Sequence, residues 1–377
     1  VMRLDKLYPT DHCGFCPVWT QARACLDHPL VSVRRHAVLE GIDPPQSPGG
    51  PALARITTRI PAVDPDACVF CGLCLEACAQ SGAPGALRDR PKDRSADPAS
   101  PPCPDIDFTR CTRCGACVSA CPTGAIVLDR APATERIPVA EAVFATGFAE
   151  SARPLAPEFG LGAHPDVLSA LEFEALSAEA GPNQGALARR SNGQPPRSLA
   201  FIQCAGSRDQ RFLPYCSGVC CMHALKQARW AKRRCPDLSC AIFFTDLRAV
   251  GKGYEAYARA ARDEGVLLLH SRPGLVFAPE GGPPDAAVAL RTEDPDTGRV
   301  LTAEFDLVVV NGGLEGCPLP GAAPSGPLEA TGRACGFCQE PGDVAVSVVQ
   351  GARAAALAAL RLNRLGLARR AGQEVRP

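Results

Sequence analysis

Two cysteine series with the same spacing carry the clearest chemistry in this sequence. Each follows the pattern C-x2-C-x2-C-x3-C, and the second is followed directly by Pro122. A [4Fe-4S] cube needs four thiolates, and in proteins that hold two such cubes the fourth cysteine of each series ligates the other cluster. The spacing therefore predicts two clusters, one on Cys68, Cys71, Cys74 and Cys121, the other on Cys111, Cys114, Cys117 and Cys78.

Zinc is the main alternative for paired C-x2-C motifs. It explains neither the two matching sets of four cysteines nor the proline after the second set, so iron and sulfur are favoured. The first series carries Ala79 where a proline is usual, a change that removes no ligand. Residues 81–102 are rich in Pro, Ala and Asp and are predicted to form a surface loop, with Cys103 beyond it as a spare thiol or an alternative ligand.

A third group of cysteines occupies eighteen positions further along the chain: Cys204, Cys216, Cys220 and Cys221. The last two are adjacent and open a predicted helix, where neighbouring side chains point about 100° apart. Both could not be buried as inert residues on one helical face, whereas a metal cluster would use both. Four structural cysteines are the alternative; the spacing favours a third [4Fe-4S] cluster. His223 is interpreted as a polar helix residue, and Cys235, Cys240 and Cys317 as free thiols.

The elements around this third group alternate between strands and helices. Short apolar runs at 199–203, 240–244 and 266–270 are separated by helical stretches at 220–234 and 254–264. This order predicts an α/β unit with parallel pairing. In a dinucleotide-binding domain the first strand would lead into G-x-G-x-x-G. Here it leads into CAGSRD, so a metal site is predicted where a nucleotide would lie.

Glycines after predicted strands mark three further turns. A glycine lets the backbone approach a flat cofactor closely, and a helix N-terminus favours a pyrophosphate. The predicted flavin contacts are Thr146, Gly147, Gly312, Gly313, Gly342 and Asp343. Ordinary strand ends and a helix cap before the Ala-rich stretch Val344–Leu360 are the alternative.

Composition and charge limit the classes of binding partner and the cellular locations that are expected for this chain. Lys+Arg and Asp+Glu both number 40, so no electrostatic footprint for nucleic acid is expected. The 21 cysteines cluster in C-x2-C runs, which indicates metal in a reducing compartment. The start of the chain has no continuous apolar segment, and Val344–Leu360 is interrupted by Gly351 and Arg353. A cytoplasmic protein without a membrane span is predicted.

With these residues in view, the chain resembles the A subunit of heterodisulfide reductase and its bacterial relatives. The resemblance covers nearly the whole chain and is most specific over 199–265, through FIQCAGSRD, YCSGVCCMHALKQA and VGKGYEAYARAARDEGV. The segments LDKLYPTDHCGFC and ACGFCQEPGDVAVSVVQGARAA are similar to parts of the same family. The resemblance implies an α/β fold built like thioredoxin reductase, with Rossmann-type FAD/NAD(P)-binding domains and an inserted ferredoxin domain that holds two [4Fe-4S] clusters.

The same resemblance divides the chain into five predicted parts. Residues 1–62 would be a partial FAD-binding segment, 63–130 the ferredoxin insert and 131–195 a continuation of the FAD domain. Residues 196–305 would form a second Rossmann-like domain with the cysteine-rich motif, and 306–377 the return of the FAD domain. The family's G-x-G-x-x-G half of the FAD domain has no counterpart in these residues. FAD is therefore expected only if that half is supplied.

The leading hypothesis is an electron-transfer subunit of a heterodisulfide-reductase-like oxidoreductase complex. It would relay or bifurcate electrons between ferredoxin or thiol–disulfide partners and a hydrogenase or formate dehydrogenase. Electrons would arrive singly through iron, and a hydride donor such as NADPH is not expected to bind at the third group. The alternatives are a flavin-free iron–sulfur relay and a redox sensor that uses two CGFC pairs, Cys13/Cys16 and Cys335/Cys338.

Overall fold

A computed structural model gives the structure of the chain. It describes residues 28–34, 37–45, 51–58, 60–64, 67–69, 71–81, 85–88, 103–129, 131–151, 158–177, 185–278, 286–294, 296–317 and 332–364, and positions 25, 47, 183 and 283. Cys13 and Cys16 lie outside these residues, so the interpretation of that CGFC pair stays a prediction.

Strands and short helices follow one another through the described residues. The strands are β1 (Ala37–Asp43), β2 (Ala52–Thr58), β3 (Leu87–Arg88), β4 (Asp105–Ile106), β5 (Ala133–Val139), β6 (Ala142–Phe144), β7 (Phe148–Glu150), β8 (Val167–Ser169), β9 (Ser198–Ile202), β10 (Ser239–Phe244), β11 (Val266–His270), β12 (Leu275–Phe277), β13 (Val288–Glu293), β14 (Val300–Phe305), β15 (Leu307–Val310), β16 (Leu314–Gly316) and β17 (Gly332–Ala334). The helices are α1 (Leu73–Gln80), α2 (Ala116–Ala120), α3 (Ala170–Ser177), α4 (Cys220–Arg234), α5 (Tyr254–Asp263) and α6 (Val344–Arg364), with a 3-10 turn at Gly336–Cys338.

The chain divides into two compact units. The double-motif unit comprises 16–142, 319–333 and 360–377, and the sheet unit comprises 1–15, 143–318 and 334–359. In the double-motif unit, β1, β2 and β5 form an antiparallel sheet. Backbone pairing joins the segments that carry the two cysteine series. Val63, before the first series, forms an antiparallel bridge with Ile126, after the second series. Strand β3, after the first series, pairs with β4, before the second series.

The sheet unit is built on a five-stranded sheet in the order β11-β10-β9-β15-β8. Every pairing within it is parallel. The chain moves from β9 through β10 to β11 on one side and places β15 on the other, so the strand order reverses between β9 and β15. In open parallel sheets, ligands bind at the carboxyl ends of the strands at such a reversal.

Both faces of this sheet are covered, which explains the continuous apolar runs in its strands. Leu199 and Phe201 pack with Leu225 of α4 on one face. Ala200 and Ile202 pack on the other face, against strands of the antiparallel sheet β12-β13-β14. A strand with both faces buried cannot alternate between apolar and polar residues.

The predicted alternation of elements is confirmed. Helix α4 has the predicted bounds, 220–234, and β11 has the predicted bounds, 266–270. Strand β9 begins and ends one residue earlier than expected, and α5 ends one residue earlier. The α/β class and the parallel pairing follow the sequence pattern.

A buried ion pair joins two strands at the opposite, amino-terminal edge of the sheet. Arg189 donates from Nη2 to Asp166 Oδ2 at 2.8 Å, and its Nη1 lies 3.5 Å from Asp306 Oδ1. Asp166 precedes β8 and Asp306 precedes β15, and all three side chains are at least nine-tenths buried. The pair fixes these neighbouring strands to each other at the edge away from the cysteines.

Helix α6 is long and apolar enough to cross a membrane by length and composition, and 6% of its most apolar window is buried. The sequence prediction did not anticipate this, because it gave weight to the interruptions at Gly351 and Arg353. Helices of soluble proteins also meet this criterion, so the helix by itself does not assign a membrane location.

Candidate metal centres

The two cysteine series repeat the same local turn. Helices α1 and α2 each begin after a glycine that directly follows the second cysteine of its series, Gly72 with φ 78° and Gly115 with φ 77°. Glycine adopts this left-handed conformation without the steric cost that a Cβ would bring. The turn leaves the second cysteine of each series, Cys71 and Cys114, exposed and carries the third, Cys74 and Cys117, into the interior of the double-motif unit.

Four cysteines drawn from both series line one cavity of the module. The cavity has a volume of about 160 Å³, and its cysteines are Cys68, Cys71, Cys74 and Cys121. Burial raises the pKa of Cys74, and the neighbouring thiolates of Cys68 and Cys121 raise it further. The last cysteine of the second series thus lies with the first three of the first series, which is the grouping that the crossed assignment predicts.

The complementary four cysteines line a second, smaller recess of about 20 Å³: Cys78, Cys111, Cys114 and Cys117. Burial raises the pKa of Cys117, and the thiolates of Cys111 and Cys78 add to the increase. Cys103 is buried in the core of the double-motif unit and lines neither of the two cavities.

Backbone amides already point at the sulfurs that cross between the series. The Leu87 amide donates to Cys78 Sγ at 3.3 Å, and the Ala125 amide donates to Cys121 Sγ at 3.3 Å. Burial acts to raise the pKa of Cys121, but hydrogen bonds from Thr123 and from backbone amides outweigh it and lower that pKa. Hydrogen bonds to the charged form of a thiol favour the thiolate, which is the form that binds metal.

The third cysteine group lies at the carboxyl edge of the parallel sheet, at the reversal of strand order. Cys204 follows β9, Cys216 lies in the next loop, and Cys220 and Cys221 open α4. The thiol of Cys221 donates to the backbone oxygen of Asp246, just beyond β10, at 3.5 Å. The start of α4 and the loop after β10 therefore meet at this edge.

The four thiols of this third group are close enough to influence one another's charge. Burial raises the pKa of Cys220 to about 12, and the thiolates of Cys221, Cys204 and Cys216 contribute to that value. Burial likewise raises the pKa of Cys221 to about 11. Cys220 keeps some exposed surface as a residue while its sulfur is shielded. Because burial disfavours the charged form, the thiols of Cys220 and Cys221 are neutral unless a cation is bound.

Hydrogen-bond donors surround the sulfurs of the third group. The Gly218 amide donates to Cys216 Sγ at 3.3 Å. The side chains of Ser207 and Ser217 act to lower the pKa of Cys204 and of Cys220 respectively, and the Ser217 hydroxyl also donates to the Leu314 oxygen at 3.3 Å.

Arg208 places a positive charge beside the same group. Its Nη2 lies 2.6 Å from Asp246 Oδ2. Burial raises the pKa of Cys204 overall, while the charges of Arg208 and Arg272 act in the opposite direction. The sequence reasoning singled out neither arginine. Arg208 lies in the CAGSRD loop, which was the available signal, whereas Arg272 reaches this loop only in the fold, where its Nη2 donates to the Ala205 oxygen at 3.2 Å.

Backbone strain among the described residues is concentrated at these cysteine sets. Three non-glycine residues have positive φ: Cys204 at 58°, Arg208 at 59° and Arg113 at 56°. Such conformations cost on the order of 1–3 kcal/mol each and are maintained where the surroundings require them. Two of them frame the CAGSRD loop, and the third lies between Cys111 and Cys114.

The donor chemistry of all three groups fits iron–sulfur clusters. Thiols with raised pKa values release their protons when metal binds, so the metal supplies the charge that the protein lacks. Among the described residues, no three His, Cys, Asp or Glu side chains converge on one metal ion. A [4Fe-4S] cube instead distributes its four thiolates over four separate irons.

Only some of the predicted flavin contacts come together. Thr146 Oγ1 donates to the backbone oxygen of Cys317 at 3.1 Å, and the Cys317 amide donates to the oxygen of Gly147 at 3.0 Å. Gly312 and Gly313 are buried and lie beyond the other end of the β7–β16 pair. A Cβ on Gly313 would stand 2.7 Å from the Cβ of Ser207, so this glycine packs against the CAGSRD loop.

Asp343 caps helix α6. Its Oδ1 accepts a hydrogen bond from the Val346 amide at 2.9 Å, which satisfies one of the exposed donors at the helix start. A Cβ on Gly342 would stand 2.9 Å from Val346 Cγ1. The cap is the alternative that the sequence left open, and the flavin role of this pair stays a prediction.

The second CGFC pair lies beside the same strands. The Cys335 amide donates to the Phe144 oxygen at 2.9 Å, and Cys338 Sγ lies 3.4 Å from that oxygen. Burial, followed by the charge of Cys338, raises the pKa of Cys335. A Cβ on Gly316 would stand 3.0 Å from Cys338 Cα, so this pair is packed closely against β16.

Comparison with known proteins identifies both the module and the chain. The pattern of 4Fe-4S binding domains matches residues 61–78 and 104–127. The A subunit of the H(2)/formate:CoB-CoM heterodisulfide,ferredoxin reductase of Methanococcus maripaludis is 36% identical in an alignment of 320 residues that covers 83% of this chain and 48% of that protein. One of the iron-sulfur A subunits of CoB–CoM heterodisulfide reductase from Methanopyrus kandleri is 33% identical in an alignment, gaps included, of 391 residues that covers 96% of this chain and 58% of that protein.

The chain belongs to the heterodisulfide reductase A-subunit family. This family member spans about half the length of the curated relatives that it matches. Among these is the A subunit of the H(2):CoB-CoM heterodisulfide,ferredoxin reductase of Methanothermobacter thermautotrophicus, with 30% identity over 83% of this chain and 47% of that protein. The family resemblance drawn from the sequence is confirmed.

Solved structures similar to this chain include the thioredoxin reductase of Lactococcus lactis. The match has 15% identity and a TM-score of 0.39, and it covers 63% of this chain and 70% of that one. The thioredoxin reductase of T. acidophilum gives 13% identity and a TM-score of 0.36, over 62% of this chain and 69% of that one.

Proposed function

We propose that this chain is an electron-transfer iron–sulfur subunit of a heterodisulfide-reductase-like oxidoreductase complex. The observation that carries the proposal is the arrangement of the double-motif unit, where each of two cavities is lined by four cysteines, three from one series and one from the other. When bound, [4Fe-4S] clusters accept and donate single electrons at potentials that burial and hydrogen bonds adjust. The cysteines would hold two clusters in this unit, and the third group would hold one more.

The third group has the features of a site that receives electrons rather than hydride. Four thiols, two serine hydroxyls and the Gly218 amide occupy the carboxyl edge where a parallel sheet commonly binds a nucleotide. Arg208 and Arg272 contribute positive charge beside the thiolates. These residues would hold and stabilise an anionic cluster. The proposal includes the prediction that no nicotinamide cofactor binds at this site.

The remaining roles extend the proposal to the complex. Relay or bifurcation of electrons, and contact with other reductase subunits and with a hydrogenase or formate dehydrogenase, are inferred from the family. FAD would be the centre that pairs electrons, in contact with the turns at Gly147, Gly313 and Asp343, if the G-x-G-x-x-G half is supplied. A cytoplasmic location agrees with 21 cysteines that favour a reducing compartment.

A flavin-free relay is the second candidate, and the helix-capping role of Asp343 favours it. A redox sensor based on the CGFC pairs stays a prediction, with Cys335 and Cys338 packed against β16 and the other pair outside the described residues.

Anaerobic purification followed by assays of iron, sulfide and flavin tests the proposal. Three cubanes correspond to about twelve irons per chain, and two correspond to about eight. A reconstituted chain with fewer than about eight irons contradicts the assignment of the two cysteine series. Near-stoichiometric FAD after co-purification with a G-x-G-x-x-G partner rules out the flavin-free relay.

A further inference from the structure

Two buried amide side chains lie next to each other below the third cysteine group. In the parallel ladder Ile202 pairs with Val310, so the residues that follow, Gln203 and Asn311, are neighbours on adjacent strands. Their residues are 1% and 4% exposed. Within the described part of the chain, neither Nε2 nor Oε1 of Gln203 has a hydrogen-bond partner, and neither has Nδ2 of Asn311. Buried amides are seldom left unpaired, because the lost hydration is not compensated.

The alternation of side chains along β9 and β15 directs both amides to the sheet face that the helix with the adjacent cysteines covers. Side chains alternate along a strand, and Leu199 and Phe201 pack on the face covered by α4. Gln203 continues that series. Helix α4 begins with Cys220 at this carboxyl edge, as the contact from Cys221 to the residue after β10 shows. By this alternation the unpaired amides are directed to the sheet face that α4 covers, and Gln203 directly precedes Cys204 at the edge where α4 begins.

The hydrogen-bond acceptors available at this edge of the sheet indicate which group the two amides would contact. The sulfur of Cys216 already accepts from the Gly218 amide, and the side chains of Ser207 and Ser217 lie beside Cys204 and Cys220. A cluster held by these thiolates would add inorganic sulfides, which are further hydrogen-bond acceptors and have no donor yet. The buried amide nitrogens are the donors without acceptors.

We propose that Gln203 donates its Nε2–H to the cluster held by the third cysteine group. Asn311 Nδ2 and Gln203 Oε1 have no partner among the residues that the structure describes, and with the cluster bound Asn311 would donate from Nδ2 to Gln203 Oε1 and so fix the orientation of that amide. The inference rests on the third cluster of the proposed function. An N–H donor favours the reduced state, which carries one more negative charge, and so raises the reduction potential. Asn311 is a positioning residue in this arrangement, and Gln203 makes the contact.

The test is an EPR-monitored redox titration of the full reconstituted chain. Gln203→Met keeps the side-chain length and removes the donor. We expect the equilibrium constant for reduction of the third cluster to fall about tenfold, which is about 59 mV for one electron. Asn311→Leu should lower it in the same direction by less. The potentials of the two clusters in the double-motif unit should not change in either variant.

Gln227→Met is the matched control. Gln227 is also a buried glutamine, but it lies on α4 itself, and its Nε2 already donates to the Ala170 oxygen at 2.8 Å and to Glu174 Oε2 at 3.0 Å. A change below twofold in Gln203→Met, or an equal shift in the Gln227 control, overturns the inference. If Gln203→Met does not retain the cluster, a change below twofold in Asn311→Leu overturns it. A wild-type chain with only about eight irons would instead remove the third cluster itself.

Discussion

The crossed assignment, in which the fourth cysteine of each series ligates the cluster of the other series, can be tested with single substitutions. Cys121→Ala removes one of four thiols around the 160 Å³ cavity and leaves the smaller recess with all four of its cysteines. A cubane that loses one of its four protein ligands is expected to be lost on purification. The iron content should then fall from about twelve to about eight per chain, a loss of one third.

The decisive comparison is between variants. Cys74→Ala belongs to the same set and should abolish the same EPR signal of the reduced protein as Cys121→Ala. Cys117→Ala is closer in sequence to Cys121 but belongs to the other set, so it should abolish the other signal. Iron and sulfide assays with EPR of dithionite-reduced samples provide the measurement. If Cys121→Ala and Cys117→Ala remove the same signal while Cys74→Ala removes a different one, each series holds its own cluster and the crossed reasoning is refuted.

Two further substitutions test the surroundings of the third group and of the sheet. Gly313→Ala places a Cβ 2.7 Å from the Cβ of Ser207, at a φ of 96° where a side chain is strained. We expect this variant to lose the third EPR signal and to keep the other two. Gly147→Ala is also at positive φ but has no neighbour within 4 Å among the described residues, so it should keep all three signals. Equal loss in both variants would show that strain, and not the close packing, is responsible. Arg189→Met leaves the fully buried Asp166 without its cation, so denaturant unfolding should show a decrease of about 3–5 kcal/mol in the free energy of unfolding, and a change below about 1 kcal/mol would contradict a structural role for the pair.

Much of this protein follows from local sequence. The helical period and the short apolar runs predict α4, α5, β9, β10 and β11 to within a residue, because a helix or a buried strand is determined largely by its own side chains. The cysteine spacing likewise predicts which eight cysteines belong together, since the ligand pattern of a cubane is a constraint within a short segment. The packing of Leu225 and Ala228 into the core follows from the same period.

Other parts of the site depend on contacts across long stretches of chain. Gln203 and Asn311 become neighbours only through the register of β9 with β15, and Gly313 reaches Ser207 only because β15 ends at the same edge of the sheet. The role of Asp343 as a cofactor contact stays a prediction, and its role as the cap of α6 is seen only in the structure. The sequence by itself determined the cysteine chemistry and the elements that carry it. Only the tertiary structure decided which polar groups surround that chemistry, because strand register is set by packing over the whole sheet and leaves no local pattern.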